Sequence, residues 1–259
     1  MVKVSISVVL YNNSEEQINK LINNLKEVTS DFTNVDIYLV DNSPDNQELK
    51  LFLNKINMSK SIHIFFSKNK GFGAGHNKVL NSLNSDYHFV VNPDVFVENS
   101  AQINKMIEFM EDHKEYGLLS PLIKFPDGRL QKLVKHQPTI LDMGLRFINV
   151  PGFDKRREWF VNFPDGYREI HDAENISGSF MLFRTEILKQ IKGFDENYFL
   201  YMEDADITRK VNVVSRTVFY PNAFVYHDWQ RNNKRSFSGI LHMISSMVKY
   251  FNKWGWKFY

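Results

Sequence analysis

The sequence of 259 residues contains no cysteine. This absence excludes disulfides, thiolate metal sites and a cysteine nucleophile, and it fits the cytoplasm. A large excess of charge of either sign is also absent, because 32 Lys and Arg are balanced by 30 Asp and Glu, for a net charge of +2. Such a balance argues against a dedicated nucleic-acid-binding protein. The remaining composition, 43% hydrophobic and 24% charged, is that of a globular protein with one large domain or two small ones.

Long hydrophobic runs are absent as well. No stretch approaches the roughly 18 consecutive apolar residues that a membrane-spanning helix needs. The first residues, 1–5, lack the layout of a signal peptide, and no internal repeat or low-complexity linker is visible. We therefore expect a soluble or peripheral protein in the cytoplasm.

The first 115 residues alternate between two kinds of pattern. Short runs rich in β-branched residues predict buried strands, and apolar residues at helical spacing predict helices. Ser14 followed by Gln17 is typical of a capping box at a helix start. Strand–helix alternation predicts an α/β fold with a mainly parallel, twisted sheet flanked by helices. The predicted strands are 2–11, 35–41, 61–66 and 87–92, and the predicted helices are 14–28, 45–57, 71–83 and 100–115.

The second half is less regular. A Pro-Asp-Gly turn predicts a hairpin at 125–130. Residues 137–174 lack clear periodicity and could form an excursion that covers a cleft. Strands are predicted at 176–183 and 216–221, and a helix is predicted within 198–211.

The C-terminal segment, 228–259, combines basic and aromatic residues, with six Lys and Arg, one Asp and three Trp. A basic amphipathic helix with aromatic residues is typical of membrane-surface contact. A helix packed on the protein body, with solvated lysines, fits equally well. The predicted apolar stripe consists of Ile240, Ile244, Met247, Phe251, Trp254 and Phe258.

Each of the first four predicted strands ends in polar residues. Ligands of parallel sheets bind outside the carboxyl ends of the strands, so we expect these residues to line one binding edge. They are, in strand order, Tyr11, Asn12 and Asn13; Asp41, Asn42 and Ser43; Lys68, Asn69, Lys70 and Gly71; and Asn92, Pro93 and Asp94.

Each of these clusters also has a purely structural interpretation. Asn92, Pro93 and Asp94 form a common Asx-Pro turn signal. Asp41 could accept a hydrogen bond from a base or ribose, or it could form an Asx turn. The glycine-rich stretch 69–77 could present backbone amides to an anion or simply turn tightly. It is no dinucleotide fingerprint, because His76 stands where that motif requires glycine.

Acidic and imidazole side chains in the second half suggest catalysis or metal binding. Glu203, Asp204 and Asp206 would suit the first turn of a helix, where negative charge is favourable. In an apolar cleft, however, such a carboxylate can act as a general base. His227 beside Asp228 is compatible with a divalent-metal pair, although a single histidine is more often structural.

The ordered series of these motifs resembles glycosyltransferase family 2, the inverting enzymes of the GT-A fold, and most of all its rhamnosyltransferase-like branch. The resemblance covers nearly the whole chain up to about residue 230. Order and spacing together carry it, since each motif alone is weak. The motifs are SVVLYNN (7–13), LVDNS (39–43), NKGFGAGHN (69–77), VVNPDV (90–95), ISGSFMLFR (176–184), GFDENYFLYMEDADITRKV (193–211) and YHDW (226–229).

The resemblance implies a role for each matching position. Asp204 corresponds to the catalytic base, with Glu203 beside it, and Asp94 and His227 correspond to ligands of Mg²⁺ or Mn²⁺. Asn92 stands where the D-x-D metal motif has its first Asp. A neutral amide is a weaker metal ligand than a carboxylate, so the metal requirement is the property to test. The implied donor-binding residues are Tyr11, Asn12, Asp41, Asn42, Ser43, Asn69, Gly71, Gly73, Asn77, Asn92, Gly178 and Ser179.

The resemblance also implies an organisation and an activity. A GT-A domain would span 1–230, with a nucleotide-binding half at 1–115, an acceptor half at 116–230 and a helical extension at 231–259. The expected reaction is inverting transfer from dTDP-rhamnose or a UDP-hexose to a glycan or lipid-linked acceptor in bacterial surface polysaccharide synthesis. The expected location is the cytoplasm or the inner face of its membrane, without nucleic acid. The alternatives are a sugar nucleotidyltransferase or hydrolase and a non-catalytic glycan-binding scaffold.

Overall fold

The structure, a computed structural model, describes residues 2–56, 60–146, 150–228 and 237–259. The tail residues Trp229, Arg231, Lys234 and Arg235 lie outside this part of the chain. Strands and helices alternate through the first half, as predicted. The strands are β1 (Val4–Leu10), β2 (Val35–Asp41), β3 (Ile62–Phe66), β4 (Tyr87–Val91) and β5 (Val95–Phe96), and the helices are α1 (Glu15–Val28), α2 (Gln47–Ile56), α3 (Phe72–Asn77) and α4 (Ser100–Asp112).

The first four strands form a parallel sheet in the order β3-β2-β1-β4. Leu10 at the end of β1 lies opposite Asp41 at the end of β2, and Asp41 lies opposite Phe66 at the end of β3. The carboxyl ends of these strands are therefore level at one edge, and the polar residues that follow them are neighbours, as expected.

Helix α1 shows why the local sequence patterns were informative. The Ser14 side chain accepts from the backbone N–H of Gln17, and the Gln17 side chain accepts from the backbone N–H of Ser14, which confirms the predicted capping box. Helical spacing places Ile18, Leu21 and Leu25 on the buried face, where they join the apolar core on one side of the sheet.

The second half extends this sheet with antiparallel strands. Strand β8 pairs antiparallel with both β4 and β6, whereas β6 and β9 are parallel. The short strands β5 and β7 pair antiparallel with β9. The elements are β6 (Tyr116–Lys124), α5 (Ile140–Gly144), α6 (Asp154–Phe160), β7 (His171–Asp172), β8 (Phe180–Arg184), α7 (Thr185–Gln190), α8 (Glu203–Val214), β9 (Arg216–His227) and α9 (Phe237–Trp254).

Two element boundaries differ from the sequence prediction for identifiable reasons. Helix α3 ends at Asn77 rather than continuing to 83, and the Asn77 side chain bonds across to the backbone of Phe194. Strand β9 continues past Pro221, because a register shift against β6 creates a bulge there. A proline is tolerated in a bulge, since its missing N–H is not needed for pairing.

Helix α9 packs on the protein body, but not through the whole predicted stripe. Met243, Tyr250 and Phe251 are buried, whereas Ile244 is 48% exposed and Phe258, beyond the helix end, is 67% exposed. The predicted stripe therefore extends beyond the helix at Phe258, and Ile244 lies within α9 but is exposed. Among the described residues, no helix combines the length and apolar character needed to cross a bilayer.

Candidate active site

A cavity of about 430 Å³ lies outside the ends of β1 and β2. It is lined in part by the exposed Tyr11 and Asn12 and by Ser43, whose Oγ accepts from the Asn12 N–H at 2.7 Å. Asp41 is buried, and its Oδ1 accepts from the Ser43 N–H at 2.8 Å. This is the Asx turn anticipated as the structural alternative. The turn uses one acceptor position of the Asp41 carboxylate, which has about four.

The neighbouring strand ends are joined through Gly71. Its carbonyl oxygen accepts from the Asn42 side-chain amide at 3.2 Å, and its N–H donates to the Asn69 side chain at 3.1 Å. The Asn42 Oδ1 is buried and has no hydrogen-bond partner. Asn42 and Asn69 thus fix the backbone of the turn that follows β3.

The glycine-rich stretch packs against the loop that leads to α8. Gly71 has φ of 103°, and a Cβ there would lie 2.0 Å from the Phe199 carbonyl oxygen. A Cβ on Gly73 would lie 2.6 Å from Phe194. The Asn77 side chain accepts from the Phe194 N–H and donates to the Phe194 carbonyl, both at 2.9 Å. Only glycine allows this approach, so the stretch holds the α8 loop against the sheet edge.

Asn92 lies between the sheet edge and the start of β8. Its N–H donates to the carbonyl of the buried Ser179 at 2.9 Å. The adjacent Gly178 is also buried, and a Cβ there would lie 3.6 Å from the Cβ of Asp204. The turn after β4 and the beginning of α8 are therefore close neighbours, although about 110 residues separate them in the sequence.

Asp94 and His227 face each other across the β5–β9 ladder. Val95 is paired with His227, and the Asp228 N–H donates to the Asp94 carbonyl at 3.0 Å. The Asp94 Oδ1 and the His227 Nε2 lie 3.2 Å apart in an arrangement that gives neither atom a hydrogen bond. A carboxylate oxygen and an imidazole nitrogen at this distance can share a proton as an ion pair, and they can equally bind one cation together.

Gln131 fixes the orientation of His227, a contact that sequence analysis missed. The Gln131 Nε2 donates to the His227 carbonyl at 2.6 Å, and its Oε1 lies 3.0 Å from Nδ1. An amide oxygen can only accept, so Nδ1 carries a proton, and the ring is held with Nε2 directed at Asp94. A glutamine in an irregular segment gives no sequence signal for this role.

Asp94 and His227 are residue types that could bind Mg²⁺ or Mn²⁺. Carboxylate oxygen and imidazole nitrogen suit such ions. The described residues contain no group of three or more His, Asp or Glu that could hold a metal alone. The remaining ligands would have to come from a bound diphosphate and water. Asn92 is half-buried beside Asp94 and His227, so its neutral amide could hydrogen-bond a bound diphosphate or water.

The two acids that open α8 lie in different surroundings. Glu203 is buried with an unpaired Oε2, and burial, with a smaller contribution from the Asp204 charge, raises its pKa to about 8. Asp204 is half-buried, and its Oδ1 accepts from the Ala205 N–H at 2.8 Å. Tyr201 and Met202, just before them, have φ of 69° and 66°. Strained backbone at such a position is typical of functional sites.

Asp206 has a structural role, unlike its neighbours. It is fully buried and accepts from Lys253 at 2.8 Å, from the Trp254 indole at 2.7 Å and from Tyr198 at 3.3 Å. Its carboxylate therefore anchors the end of α9 to the beginning of α8.

Further residues that the sequence did not single out surround Asp204. Lys135, Arg146 and Asn175 line, together with Asp204, a small cavity of about 90 Å³. Each comes from an irregular segment with no motif, so their proximity is visible only in three dimensions.

Relatives found by sequence are rhamnosyltransferases. The chain is 28% identical over 173 residues to the N-acetylglucosaminyl-diphospho-decaprenol L-rhamnosyltransferase of Mycobacterium tuberculosis, covering 61% of this chain and 56% of that one. It is 25% identical over 185 residues to the rhamnosyltransferase WbbL of Escherichia coli, covering 64% of each. The chain thus matches somewhat more than half the length of these relatives.

Solved structures and a family model identify the fold and the family. A crystal structure of GalNAc-T7 with UDP, GalNAc and Mn²⁺ superposes with a TM-score of 0.70 at 13% identity, covering 98% of this chain and 48% of that one, which confirms the predicted GT-A fold. The model of glycosyl transferase family 2 matches residues 5–192. With a family match over most of its length and rhamnosyltransferases as relatives, this chain belongs to glycosyl transferase family 2, as its motifs implied.

Proposed function

We propose that this protein is an inverting glycosyltransferase that moves a sugar from a nucleotide-diphospho-sugar to a saccharide hydroxyl. The observation that carries the proposal is the Asp94–His227 pair, whose Oδ1 and Nε2 lie 3.2 Å apart at the carboxyl edge of the parallel sheet. A diphosphate leaving group needs charge neutralisation at such an edge. Asp204 lies near the same edge, with its Cβ 3.6 Å from the position that a Cβ on Gly178 would take.

Asp204 acts as the general base in this proposal. Its carboxylate takes the proton of the acceptor hydroxyl while that oxygen attacks the anomeric carbon. The bond between the anomeric carbon and the diphosphate oxygen breaks, and its electron pair stays on the diphosphate. Because attack and departure occur on opposite faces of the sugar, one displacement inverts the anomeric configuration. No covalent intermediate with the protein is required.

Asp94 and His227 would hold the divalent cation, with Gln131 keeping the His227 lone pair directed at it. The bound ion supplies Lewis-acid neutralisation of the leaving diphosphate. Asn92, with its backbone N–H tied to Ser179, would present its amide to the donor. The superposed structure contains Mn²⁺, which supports a divalent cation.

The donor nucleotide would occupy the cavity outside β1 and β2. Asp41 would accept from the N–H of a pyrimidine base, with Tyr11, Asn12 and Ser43 around it. We propose dTDP-rhamnose as donor, with UDP-hexoses as the alternative, since both sequence relatives are rhamnosyltransferases. Gly178 and Ser179 would line the sugar pocket, and the stretch from Asn69 to Asn77 would form its floor.

The acceptor is proposed to be a glycan or lipid-linked saccharide of a bacterial surface polysaccharide. One relative acts, by its name, on a diphospho-decaprenol-linked sugar. The exposed side chains of Leu241, Ile244 and Val248 follow one face of α9 and would suit contact with the cytoplasmic face of a membrane.

A donor panel tests the proposal. The protein would be incubated with dTDP-rhamnose, UDP-glucose, UDP-GlcNAc or GDP-mannose, with Mn²⁺ or EDTA, and with a GlcNAc-diphospho-lipid acceptor. We expect release of the nucleoside diphosphate that depends on both acceptor and metal, and a product of inverted configuration. Equal release without acceptor would indicate a hydrolase. Binding of none of these nucleotides, measured by calorimetry, would indicate a non-catalytic protein.

A further inference from the structure

The turn that leads into α8 has an unfavourable backbone conformation. Tyr201 and Met202 both have positive φ, 69° and 66°, and no other adjacent pair of non-glycine residues in the described ranges does so. A side chain disfavours this left-handed region, so contacts from elsewhere must hold the turn. Met202 is also the N-cap of α8, and its side chain makes no capping hydrogen bond. The direction of the first helical turn, which carries Asp204, is therefore not fixed by capping of α8 itself.

One face of α9 supplies hydrogen-bond donors to the segment that precedes this turn. The buried Ser246 donates its hydroxyl to the Leu200 carbonyl at 2.9 Å, directly before the turn. The Lys249 Nζ donates to the Asn197 carbonyl at 2.7 Å. Helical spacing places four side chains on this face: His242, Ser246, Lys249 and Lys253. Two carbonyl groups of the segment are thus held by side chains 46 and 52 residues further along the chain.

Phe199 connects the same segment to both α9 and the glycine-rich turn. Its ring stacks on the ring of His242, with centroids 4.5 Å apart. Its carbonyl oxygen accepts from the Phe72 N–H at 3.2 Å and lies against Gly71, where a Cβ would be 2.0 Å away. The segment 195–202 is therefore held between the edge of the sheet and α9.

Helix α9 is fixed to the protein body and can act as the rigid partner in these contacts. The fully buried Asp206 accepts from Lys253 at 2.8 Å and from the Trp254 indole at 2.7 Å. Met202 of the strained turn belongs to the same buried apolar cluster as Tyr250 of α9. The helix thus contacts the turn from the side chain of Met202 as well as from the backbone before it.

We propose that α9 positions Asp204, the proposed general base, and that Ser246 is the main positioning residue. By holding the Leu200 carbonyl, Ser246 keeps the Tyr201–Met202 turn in its left-handed conformation, and this turn directs Asp204 into the cleft. A second hydrogen bond from the same helix face assists it. The inference rests on the proposed function, because the group that is positioned is the proposed base.

Substitutions along α9 test the inference. Ser246→Ala removes the hydroxyl that holds the turn, and Ser245→Ala is the matched control, because Ser245 is the same residue type at the neighbouring, exposed position. Lys249→Met removes the second donor, and Lys249→Arg keeps a cationic donor at that exposed position. Steady-state kinetics with the fastest donor of the panel would be measured at a temperature at which thermal unfolding curves show every variant to be folded.

We expect Ser246→Ala to lower kcat about tenfold and to leave KM for the donor within about twofold. A misplaced base slows the chemical step, whereas the donor cavity outside β1 and β2 is unchanged. Lys249→Met should lower kcat by about threefold, as expected for one exposed hydrogen bond, and Lys249→Arg should restore it. Ser245→Ala should behave like the wild-type protein.

Hydrogen exchange tests the same restraint without catalysis. Peptides that span 195–206 should exchange their amide protons faster in Ser246→Ala than in the wild-type protein or Ser245→Ala, because the segment loses a contact that restrains its opening. Mass spectrometry of the substrate-free proteins measures this rate.

The inference is overturned by equal kcat values for Ser246→Ala and Ser245→Ala, or by unchanged exchange over 195–206 in Ser246→Ala. A loss of donor affinity in Ser246→Ala as large as the loss in kcat would also overturn it, because Ser246 would then act on the donor site. Failure of the proposed function is distinguishable: it would appear as no sugar transfer by the wild-type protein from any donor, whereas the exchange rates report on the restraint by Ser246 whatever the activity.

Discussion

The two sides of the first turn of α8 use the same residue type in opposite ways. On the cleft side, Asp204 has one backbone hydrogen bond and lines a small cavity together with Lys135 and Arg146. On the body side, Asp206 is fully buried and is bonded by Lys253, Trp254 and Tyr198. The difference lies in the partners and not in the carboxylates: the side whose hydrogen bonds are complete stabilises the fold, and the side whose bonds are incomplete is available for chemistry.

The largest expected effect comes from the cleft side. Asp204→Asn removes the proposed base while keeping the shape of the side chain, so kcat should fall by about 10²–10⁴-fold. Affinity for the nucleotide donor should stay within about twofold, because Asp204 does not line the cavity outside β1 and β2. Steady-state kinetics and calorimetry with UDP or dTDP measure the two quantities. Near-normal turnover in the variant would show that Asp204 is not the base.

A substitution on the body side should lower the free energy of unfolding. Asp206→Ala leaves Lys253 and the Trp254 indole without their buried partner, although Lys253 keeps Asp195 at 2.7 Å. We expect a loss of about 3 kcal/mol in the free energy of unfolding. Urea titration measures it, and Asp204→Ala, at the same turn, should change stability by less than about 1 kcal/mol. Equal losses in both variants would remove the distinction between the two sides.

Glu203 precedes both aspartates in the first turn of α8, and its ionisation should affect how the free energy of unfolding depends on pH. Its folded-state pKa of about 8 exceeds the ordinary value of 4.5, so the folded protein retains a proton that the unfolded chain releases. Stability therefore falls as pH rises between these values. Relative to Glu203→Gln, the wild-type protein should lose roughly 2–4 kcal/mol between pH 4.5 and pH 8. Urea titrations across this range that give parallel curves for both proteins would contradict the raised pKa.

The smallest expected effect concerns Asp94 and His227, the proposed metal ligands. Gln131→Leu removes the hydrogen bonds that direct His227, and an outer contact of this kind is worth about 10–100-fold in metal affinity. The affinity for Mn²⁺ in the presence of UDP should fall by that factor. Gln137→Leu is the control, because the Gln137 side chain bonds the Glu174 carbonyl and the Tyr250 hydroxyl and does not contact His227. Unchanged Mn²⁺ affinity in Gln131→Leu would place the cation elsewhere.

The parallel half of the molecule was predictable because its signals are local. Apolar runs predicted β1 to β4, and the capping box at Ser14 marked the start of α1. Parallel strands connected by helices bring their carboxyl ends to one edge, so the meeting of Asn12 with Ser43, and of Asn42 with Gly71, followed from chain order. The family could be inferred from the same ordered motifs.

The catalytic half was predictable only where a motif marked it. The resemblance predicted Asp94 and His227 as metal ligands. Their 3.2 Å approach depends on the β5–β9 ladder, and the two residues of β5 are too few to give a sequence signal. Gln131, Lys135, Arg146 and Asn175 belong to irregular segments, where neither periodicity nor turn chemistry predicts contacts between distant residues.

The sequence by itself determined the α/β class, the polar edge of the parallel sheet and the positions of the acids and the imidazole, because these depend on local periodicity and chain order. Only the tertiary structure decided which acid is free and which is an anchor. That decision depends on α9, which brings Lys253 and Trp254 to Asp206 and leaves Asp204 facing the cleft. A carboxylate's role follows from the donors around it, and those donors come from parts of the chain up to 50 residues away.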